Sequence, residues 1–515
     1  SVRGRLVAGT SWQDAFIDLE NTRNSILYGV VDADLTAYTR LSVGASHQVD
    51  KRNGVLWAGL PYWYADGTGT DWDRSKTTAT RWNQWDTEDS AIFATLEHEL
   101  ANRWKIRGNA SYRKQVEDSK LLWMWGDPDR TTGLGMEAYP YHYLVKPKLV
   151  NFDVLATGPV RWFGRDHELV AGLTHGTLEG GWTNRDAVAP VPSFPVGDFN
   201  NWDGSFPEPA LGPRYIGSHG RTTQSAAYAA ARLQATDVLK FILGGRVSNW
   251  KREEDEGAWT PEAYTITHDN VFTPYAGIVF DLSEQISAYG SYSSIFNPQT
   301  KRDRTGKYLD PLEGNSYEIG LKGEFLEGRL NASAAVFRTV QENFGIPDGV
   351  VAANPTETAF RPDKGVKAQG SGMEVSGEVA RGWTKGAGWT RFSAKDANGG
   401  DGAVDHARRQ LKLSTKYALT GALQGHSVGG GINWEGKQPA RATNPATGVM
   451  EDIGQEAYTL VDVMARYVIN RQLSLQLNIY NAFDKKYVTR NTTWWGGPFV
   501  YGEPRKVLVT MDYKF

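Results

Sequence analysis

Residues able to carry out catalysis are few in this sequence, and their spacing is unsuitable. There is no cysteine, which excludes a disulfide scaffold, a thiolate zinc site and a catalytic thiol. The nine histidines are scattered, without an HExxH motif or a paired zinc spacing. Residues 431–437 nearly spell a phosphate-binding loop, but Gln438 stands where Ser or Thr is required and no helix is predicted to follow. No G-x-S-x-G elbow joins a strand to a helix, so the sequence predicts that the protein is not an enzyme.

Carboxylates gather at two places that could suit a hard cation, residues 253–256 and the pair Asp127 and Asp129. Neither place has the ligand spacing of an EF-hand loop. A solvated acidic loop is therefore the favoured interpretation of both places, and we expect the protein to have no metal site and no cofactor of its own.

Aromatic side chains are the main candidates for binding chemistry. The sequence has 19 Trp, 23 Tyr and 19 Phe, and many of them fall in or beside segments predicted as long loops. Loops are normally polar, so bulky aromatics there suggest a rim that grips an amphipathic ligand. Packing of the loops on one another, or an outer aromatic girdle, is the alternative explanation. The ligand-binding candidates are Trp57, Trp63, Tyr64, Trp123, Trp125, Phe199, Trp202, Trp250 and Trp494.

Length and charge exclude several other classes of protein. The 515 residues carry 56 Lys and Arg against 59 Asp and Glu, so the net charge of -3 offers no field that would attract nucleic acid. Mean hydropathy is low at -0.48. No stretch approaches the roughly 18 consecutive apolar residues of a membrane-crossing helix, which excludes a helical membrane protein.

Alternation of apolar and polar residues with a period of two dominates the chain and indicates β-strands. These strands must position the loops that carry the aromatic residues. Leu473, Leu475 and Leu477, for example, alternate with polar residues. The polar side often carries full charges, as at Arg107 and Arg113, and this suits a hydrated lumen wall with charge pairs. Strand lengths near ten residues, flanked by Trp or Tyr, favour a transmembrane barrel over a soluble sandwich. Because a backbone in lipid must satisfy its own hydrogen bonds, we expect the sheet to close.

Short and long connections alternate along the chain. The short ones lie at residues 35–37, 281–285, 326–329 and 469–472, and the long ones at about 49–87, 115–148, 177–221, 339–368 and 436–456. This asymmetry is typical of an outer-membrane barrel with short periplasmic turns and long extracellular loops. The sequence thus predicts an all-β fold, a transmembrane antiparallel β-barrel of about 20–22 strands. The predicted strands lie near residues 1–10, 22–35, 38–48, 88–100, 103–114, 149–162, 167–176, 223–233, 237–249, 270–282, 285–295, 314–325, 329–338, 370–380, 384–391, 407–418, 424–434, 457–468, 472–482 and 504–515.

Motifs spread over essentially the whole chain resemble those of a known family. They are Trp57-Ala-Gly-Leu-Pro61, Thr273-Pro-Tyr275, Phe296-Asn-Pro298, Gly314-Asn-Ser-Tyr317-Glu318, Asn481-Ala-Phe483-Asp484 and Tyr501-Gly502-Glu-Pro504-Arg505. In their order and spacing they resemble the motifs of TonB-dependent outer-membrane receptors, in particular ferric-siderophore receptors of the hydroxamate, coprogen and pyoverdine type. Phe515 ends an alternating strand, like the signal that such barrels present to the barrel assembly machinery.

The resemblance also shows a departure from the family. It implies a barrel of 22 strands around an N-terminal plug, yet nothing in this sequence resembles the plug. The opening residues, from Ser1 to Leu6, resemble the family sequence after the first barrel hairpin. We therefore expect residues 1–515 to be a single transmembrane β-barrel domain, without the plug and the first hairpin.

The resemblance implies an outer-membrane receptor and transporter for ferric siderophores in a Gram-negative bacterium. Extracellular aromatic loops would capture the ligand, and energy from TonB would drive import through the plug. Iron would arrive only inside the chelate. The implied partners are the ferric siderophore, the TonB complex, outer-membrane lipid and lipopolysaccharide, and the assembly machinery; we expect a monomer with no nucleic-acid partner.

Two alternatives remain open at this point. One is a passive outer-membrane pore, because a barrel of this width without a plug would leave an aqueous channel. The other is a TonB-dependent receptor for a different bulky ligand. An outer-membrane enzyme or adhesin is less favoured, since the sequence offers no nucleophile–base pair to support an enzyme.

Overall fold

The computed structural model describes residues 1–188, 193–260, 262–396, 399–401, 406–491 and 499–514. Regular structure in these residues is almost entirely β-strand, with one short 3-10 turn, η1 (Gly421–Leu423). The strands in chain order are β1 (Val2–Asp14), β2 (Asn21–Asp34), β3 (Thr39–Asn53), β4 (Gln84–Glu99), β5 (Lys105–Trp125), β6 (Glu137–Val145), β7 (Lys148–Trp162), β8 (Arg165–Arg185), β9 (Phe194–Pro195), β10 (Tyr215–Gln234), β11 (Leu239–Glu254), β12 (Tyr264–Asp281), β13 (Ile286–Asn297), β14 (Leu312–Phe325), β15 (Leu330–Glu342), β16 (Phe344–Val351), β17 (Asn354–Asp363), β18 (Lys367–Ala380), β19 (Trp383–Lys395), β20 (Arg409–Ala418), β21 (His426–Glu435), β22 (Arg441–Thr443), β23 (Met450–Asp452), β24 (Tyr458–Val468), β25 (Leu473–Tyr480), β26 (Val488–Asn491), β27 (Phe499–Tyr501) and β28 (Lys506–Tyr513). Within these ranges, no helix has the length and apolar character that crossing a membrane would require.

Twenty of these strands form the wall of a barrel. The others, β6, β9, β16, β17, β22, β23, β26 and β27, lie in the connections at one end. Each wall strand pairs antiparallel with the next one along the chain. All twenty predicted strands correspond to these wall strands, so the predicted antiparallel barrel is confirmed.

The ends of the wall sheet are the free edges of β1 and β28. Among the described residues, β1 pairs with β2, β28 pairs with β25, and no pairing joins β1 to β28. The closure that we expected of a sheet crossing lipid is therefore not made between these two strands.

The predicted strand length near ten residues is wrong for several wall strands. They range from 8 residues in β25 to 21 in β5. After its pairing with β7 ends, β5 continues and pairs with β6 over residues 117–125. The extra length is possible because β6 satisfies the backbone groups that the wall no longer pairs. Residues 115–125 and 137–145, predicted as loop, are therefore strand.

The two faces of the wall differ in polarity, as the alternation predicts. The outward face exposes apolar side chains, among them Ile319 (67%), Val336 (57%) and Met373 (59%). The lumen face carries ion pairs between β4 and β5, such as Arg113 with Asp89 at 2.6 Å. The charged residues of β4 and β5 thus pair across the two strands on the lumen face.

The predicted asymmetry between the two ends is confirmed. Short turns follow β2, β12, β14 and β24, at residues 35–38, 282–285, 326–329 and 469–472. Long connections follow β3, β8, β15 and β21, and small hairpins such as β16–β17 and β22–β23 stabilise them. We call these two ends the turn end and the loop end.

We expect Leu413→Arg to destabilise the barrel and Ser414→Arg to have little effect. Leu413 lies on the outward face of β20, and the adjacent Ser414 points into the lumen. A cation on a lipid-facing position near the bilayer centre costs about 2–4 kcal/mol, whereas a lumen position is hydrated. Unfolding in lipid vesicles, followed by heat-modifiable mobility, measures the difference. Equal stability of the two variants would contradict the assigned faces.

Candidate functional site

The long connections pack on one another through a shared apolar cluster outside the barrel wall. We call it the loop core, and its buried members are Leu60, Trp72, Leu122, Met124, Met136, Ala138, Val196, Phe199, Phe499 and Tyr501. They come from four separate segments, near residues 60–72, 122–138, 196–199 and 499–501. Phe199 is fully buried and meets Trp72 edge to face at 5.3 Å. The loop core therefore fixes the positions of loops that are far apart in sequence.

Polar contacts tie the connection at 54–83 to the connection at 186–214. The Lys76 ammonium donates to the carbonyl oxygens of Phe199 at 2.7 Å and Asn200 at 3.0 Å, and it lies 4.8 Å from the centre of the Phe199 ring. Burial lowers the pKa of Lys76. The Trp202 indole N–H donates to the carbonyl of Ala79 at 2.9 Å.

The connection at 54–83 is also held to the last long connection, at 481–505. Arg74 donates two hydrogen bonds to the Asp484 carboxylate, at 2.9 and 3.1 Å. The backbone N–H of Arg505, together with Arg74, lowers the pKa of Asp484. Lys486 bonds both Asp71, at 2.6 Å, and the carbonyl of Trp72, at 2.7 Å. The connection at 54–83 thus organises the loop end.

A second group of aromatic side chains at the loop end keeps part of its surface accessible. We call it the open aromatic cluster: Trp57, Trp85, Trp123, Tyr141 and Tyr143. Trp57 lies at its centre and meets Trp123 at 5.3 Å and Tyr141 at 5.2 Å, both edge to face. Tyr143 joins Trp57 at 6.3 Å and Trp85 at 6.4 Å. Aromatic faces held at fixed angles suit a large amphipathic ligand.

The structure brings only some of the predicted binding residues together. Trp57 and Trp123 are in direct contact within the open aromatic cluster. Phe199 lies inside the loop core with no accessible surface. Trp63 is only 7% exposed and packs on Ala440, Ala442 and Ile453. Its buried indole N–H has no hydrogen-bond partner among the residues that the structure describes.

The other predicted residues lie at the edges of these clusters or apart from them. Tyr64 and Trp202 are partly buried against the loop core. Trp125 ends β5 and is partly buried. Trp250 stands on β11 and stacks on His268 of β12 at 5.7 Å. Trp494 lies outside the described residues. A ligand-binding role for each of the nine residues stays a prediction.

Three members of the open aromatic cluster, Trp85, Tyr141 and Tyr143, are not among the binding candidates chosen from the sequence. Tyr139, Tyr141 and Tyr143 alternate with other residues, and this period-two signal for a strand could have placed all three on one face of β6. Burial raises the pKa of Tyr143 to about 12, so its hydroxyl stays protonated. Among the described residues, no three His, Asp or Glu side chains come together in a way that could hold a metal ion.

The chain is similar over its whole length to known membrane receptors. Residues 12–482 match the family described as "TonB dependent receptor-like, beta-barrel". The chain is 34% identical to the ferric-pyoverdine BN7/BN8 receptor of Pseudomonas putida, over 100% of this chain and 62% of that receptor. It is 35% identical to the ferripyoverdine receptor of Pseudomonas aeruginosa, over 100% of this chain and 63% of that receptor. The chain therefore spans less than two thirds of the length of either relative.

A solved structure shows the same architecture. The crystal structure of the ferripyoverdine receptor of the outer membrane of Pseudomonas aeruginosa, bound to ferripyoverdine, is similar with a TM-score of 0.94. Sequence identity in that comparison is 33%, and the alignment covers 100% of this chain and 68% of the other.

We expect Phe199→Ala to loosen the loop end without unfolding the wall. Removing a fully buried phenyl ring costs about 3–5 kcal/mol, and here the loss falls on the loop core. Limited proteolysis should cut the connections at 54–83 and 186–214 faster, while heat-modifiable mobility of the barrel is unchanged. Phe163→Ala, at a fully exposed turn-end residue, serves as the control. Unchanged cleavage of Phe199→Ala would contradict the loop core.

The tip of the β5–β6 hairpin should respond to pH through Asp127. Burial raises the pKa of its carboxyl to about 6, from the usual 3.8. Since the folded pKa is the higher one, the hairpin tip is most stable at low pH and loses stability as pH rises through about 6. Asp127→Asn should therefore slow cleavage of the tip above about pH 7 and leave it unchanged below about pH 4. Slower cleavage at both pH values would point to a cause other than ionisation.

Proposed function

The chain belongs to the TonB-dependent receptor-like β-barrel family, and from this premise we propose that it works in a receptor that captures ferric siderophores at the bacterial outer membrane. The observation that supports this proposal most strongly is the open aromatic cluster around Trp57 at the loop end. The two Pseudomonas relatives compared above are receptors for ferric pyoverdines, so we propose a ferric chelate of that class as the ligand.

The proposed mechanism is binding and import, without a catalytic step. The chelate itself coordinates the iron, so the receptor needs no side chain as a metal ligand. Trp57, Trp123 and Tyr141 offer ring faces and edges to the amphipathic surface of the chelate. In the complete receptor, energy transmitted by TonB would then admit the ligand to the lumen.

Rigidity of the loop end supports this proposal. The loop core and the Arg74–Asp484 contact hold the connection that carries Trp57, so little conformational freedom is lost when the ligand binds. A passive pore does not need loops that are held rigidly around an aromatic cluster. Family membership also favours the receptor over the pore. The same construction could serve a receptor for a different bulky ligand, and the choice between ligands depends on the binding measurement below.

We expect Trp57→Ala and Trp123→Ala each to weaken binding of ferric pyoverdine by about tenfold or more. The loss comes from the ring area that the ligand would bury, and from the displaced neighbouring indole, because the two rings hold each other edge to face. Quenching of tryptophan fluorescence, titrated with ferric pyoverdine in the complete receptor, measures the dissociation constant.

Trp162→Ala provides the matched control, because Trp162 is at the turn end of β7 and contacts His167 there. The control should bind like the wild type. Binding unaffected in the Trp57 and Trp123 variants would overturn the assigned site. No quenching of the wild type by any ferric hydroxamate or mixed-type chelate would overturn the receptor proposal itself.

A further inference from the structure

Two arginines face each other on the outside of the barrel wall. Arg391 of β19 and Arg409 of β20 are direct cross-strand partners, and both side chains are exposed. They lie on the outward face, because they continue the alternation of Trp389 on β19 and of Leu411 and Leu413 on β20. Like charges directly opposite each other destabilise a sheet.

Within the described part of the chain, this pair has no neutralising carboxylate. No acidic group there lies within ion-pair distance of Arg391 or Arg409, and Asp401, beyond the end of β19, is bound to Lys395 at 2.6 Å. Arg338 of β15 adds a third exposed cation on the same face, again without an ion-pair partner there. The described residues of this part of the wall therefore carry an excess of positive charge.

The arginine pair lies at the membrane interface of the loop end. Trp389 precedes Arg391 by two residues and stacks on Trp434 at 6.1 Å with nearly parallel rings. At the turn end of the same two strands, Trp383 meets Tyr417 at 6.1 Å. Aromatic girdles of this kind mark the two interfaces of a transmembrane barrel. The arginines follow the loop-end girdle by one step along each strand, at the level of lipid headgroups.

We propose that Arg391 and Arg409 bind the phosphate groups of lipopolysaccharide in the outer leaflet. The guanidinium forks can each donate two parallel hydrogen bonds to a phosphate, and the anion removes the repulsion between them. We choose lipopolysaccharide as the ligand because the arginine pair lies at the loop end, which faces the outer leaflet, and this leaflet is built from lipopolysaccharide. The stacked indoles of Trp389 and Trp434 lie beside the start of its acyl chains.

The location also explains why two arginines are tolerated on a lipid-facing surface. A cation on the lipid face of such a barrel costs about 2–4 kcal/mol at the bilayer centre but about 0–1 kcal/mol near the interface. Long arginine side chains can also extend toward the headgroups while their methylene groups stay against apolar surface.

The test compares two double variants of the full chain. Arg391→Gln with Arg409→Gln removes the proposed site, and Lys412→Gln with Lys416→Gln removes two exposed cations from the lumen face of β20. Lipopolysaccharide is titrated into each protein in zwitterionic detergent, and the shift of the melting temperature is recorded. The half-saturating concentration should rise by about tenfold or more for the arginine variant, since two charge-assisted contacts are lost, and stay unchanged for the lysine variant. Equal half-saturation of all three proteins would overturn the proposal.

Two further titrations test whether the site recognises the phosphates of lipopolysaccharide or attracts any anionic lipid. Dephosphorylated lipopolysaccharide and phosphatidylglycerol should each protect the wild type poorly. Protection by either one as strong as by intact lipopolysaccharide would overturn the assignment to its phosphates.

The melting temperature of the arginine double variant, measured with and without lipopolysaccharide, tests whether the arginines have only a structural role. Without lipopolysaccharide, the arginine double variant should melt at a higher temperature than the wild type, because an unfavourable pair of like charges is gone. In nanodiscs that contain lipopolysaccharide, it should melt at a lower temperature than the wild type. A lower melting temperature in both media would show that the arginines only support the strands, and would overturn the proposal.

Discussion

The backbone hydrogen bonds between neighbouring wall strands are the interaction on which the rest of the molecule depends. A chain that crosses hydrocarbon must pair its own N–H and C=O groups. Among the described residues, the wall strands do so by lying side by side, except along the free edges of β1 and β28. Once the strands are paired, alternate residues face lipid and lumen, which explains a low mean hydropathy of -0.48 in a membrane protein. The same pairing continues above the membrane, where β5 leaves β7 and takes β6 as its partner.

The loop core is the second level of organisation, and it depends on the wall to bring its parts together. Four segments far apart in sequence meet around Phe199 and Trp72, and Lys76 and Arg74 add directed polar contacts between them. This arrangement separates two roles for aromatic residues at the loop end. Buried rings hold the loops in place, whereas the partly exposed rings around Trp57 form the surface proposed to receive the ligand.

Charge is distributed differently on each surface of the wall. On the lumen face, opposite charges on β4 and β5 pair with each other, as Arg113 does with Asp89. On the outward face at the loop end, Arg391 and Arg409 stand opposite each other, and no described residue gives either of them an acidic partner. We propose that anionic headgroups at the interface neutralise the outward arginines from outside the protein. The paired charges of β4 and β5, in contrast, neutralise each other within the barrel.

The sequence by itself determined the wall. A period of two residues is a local property, so alternation and turn spacing were sufficient to find all twenty wall strands and the short turns. The strand character of β6 was missed, since apolar and aromatic residues occupy both of its faces where loops cover it. Only the tertiary structure decided which aromatics are buried and which remain accessible, because that depends on contacts between segments more than a hundred residues apart. Sequence composition placed Trp57, Trp63 and Phe199 in one class, and packing separated them.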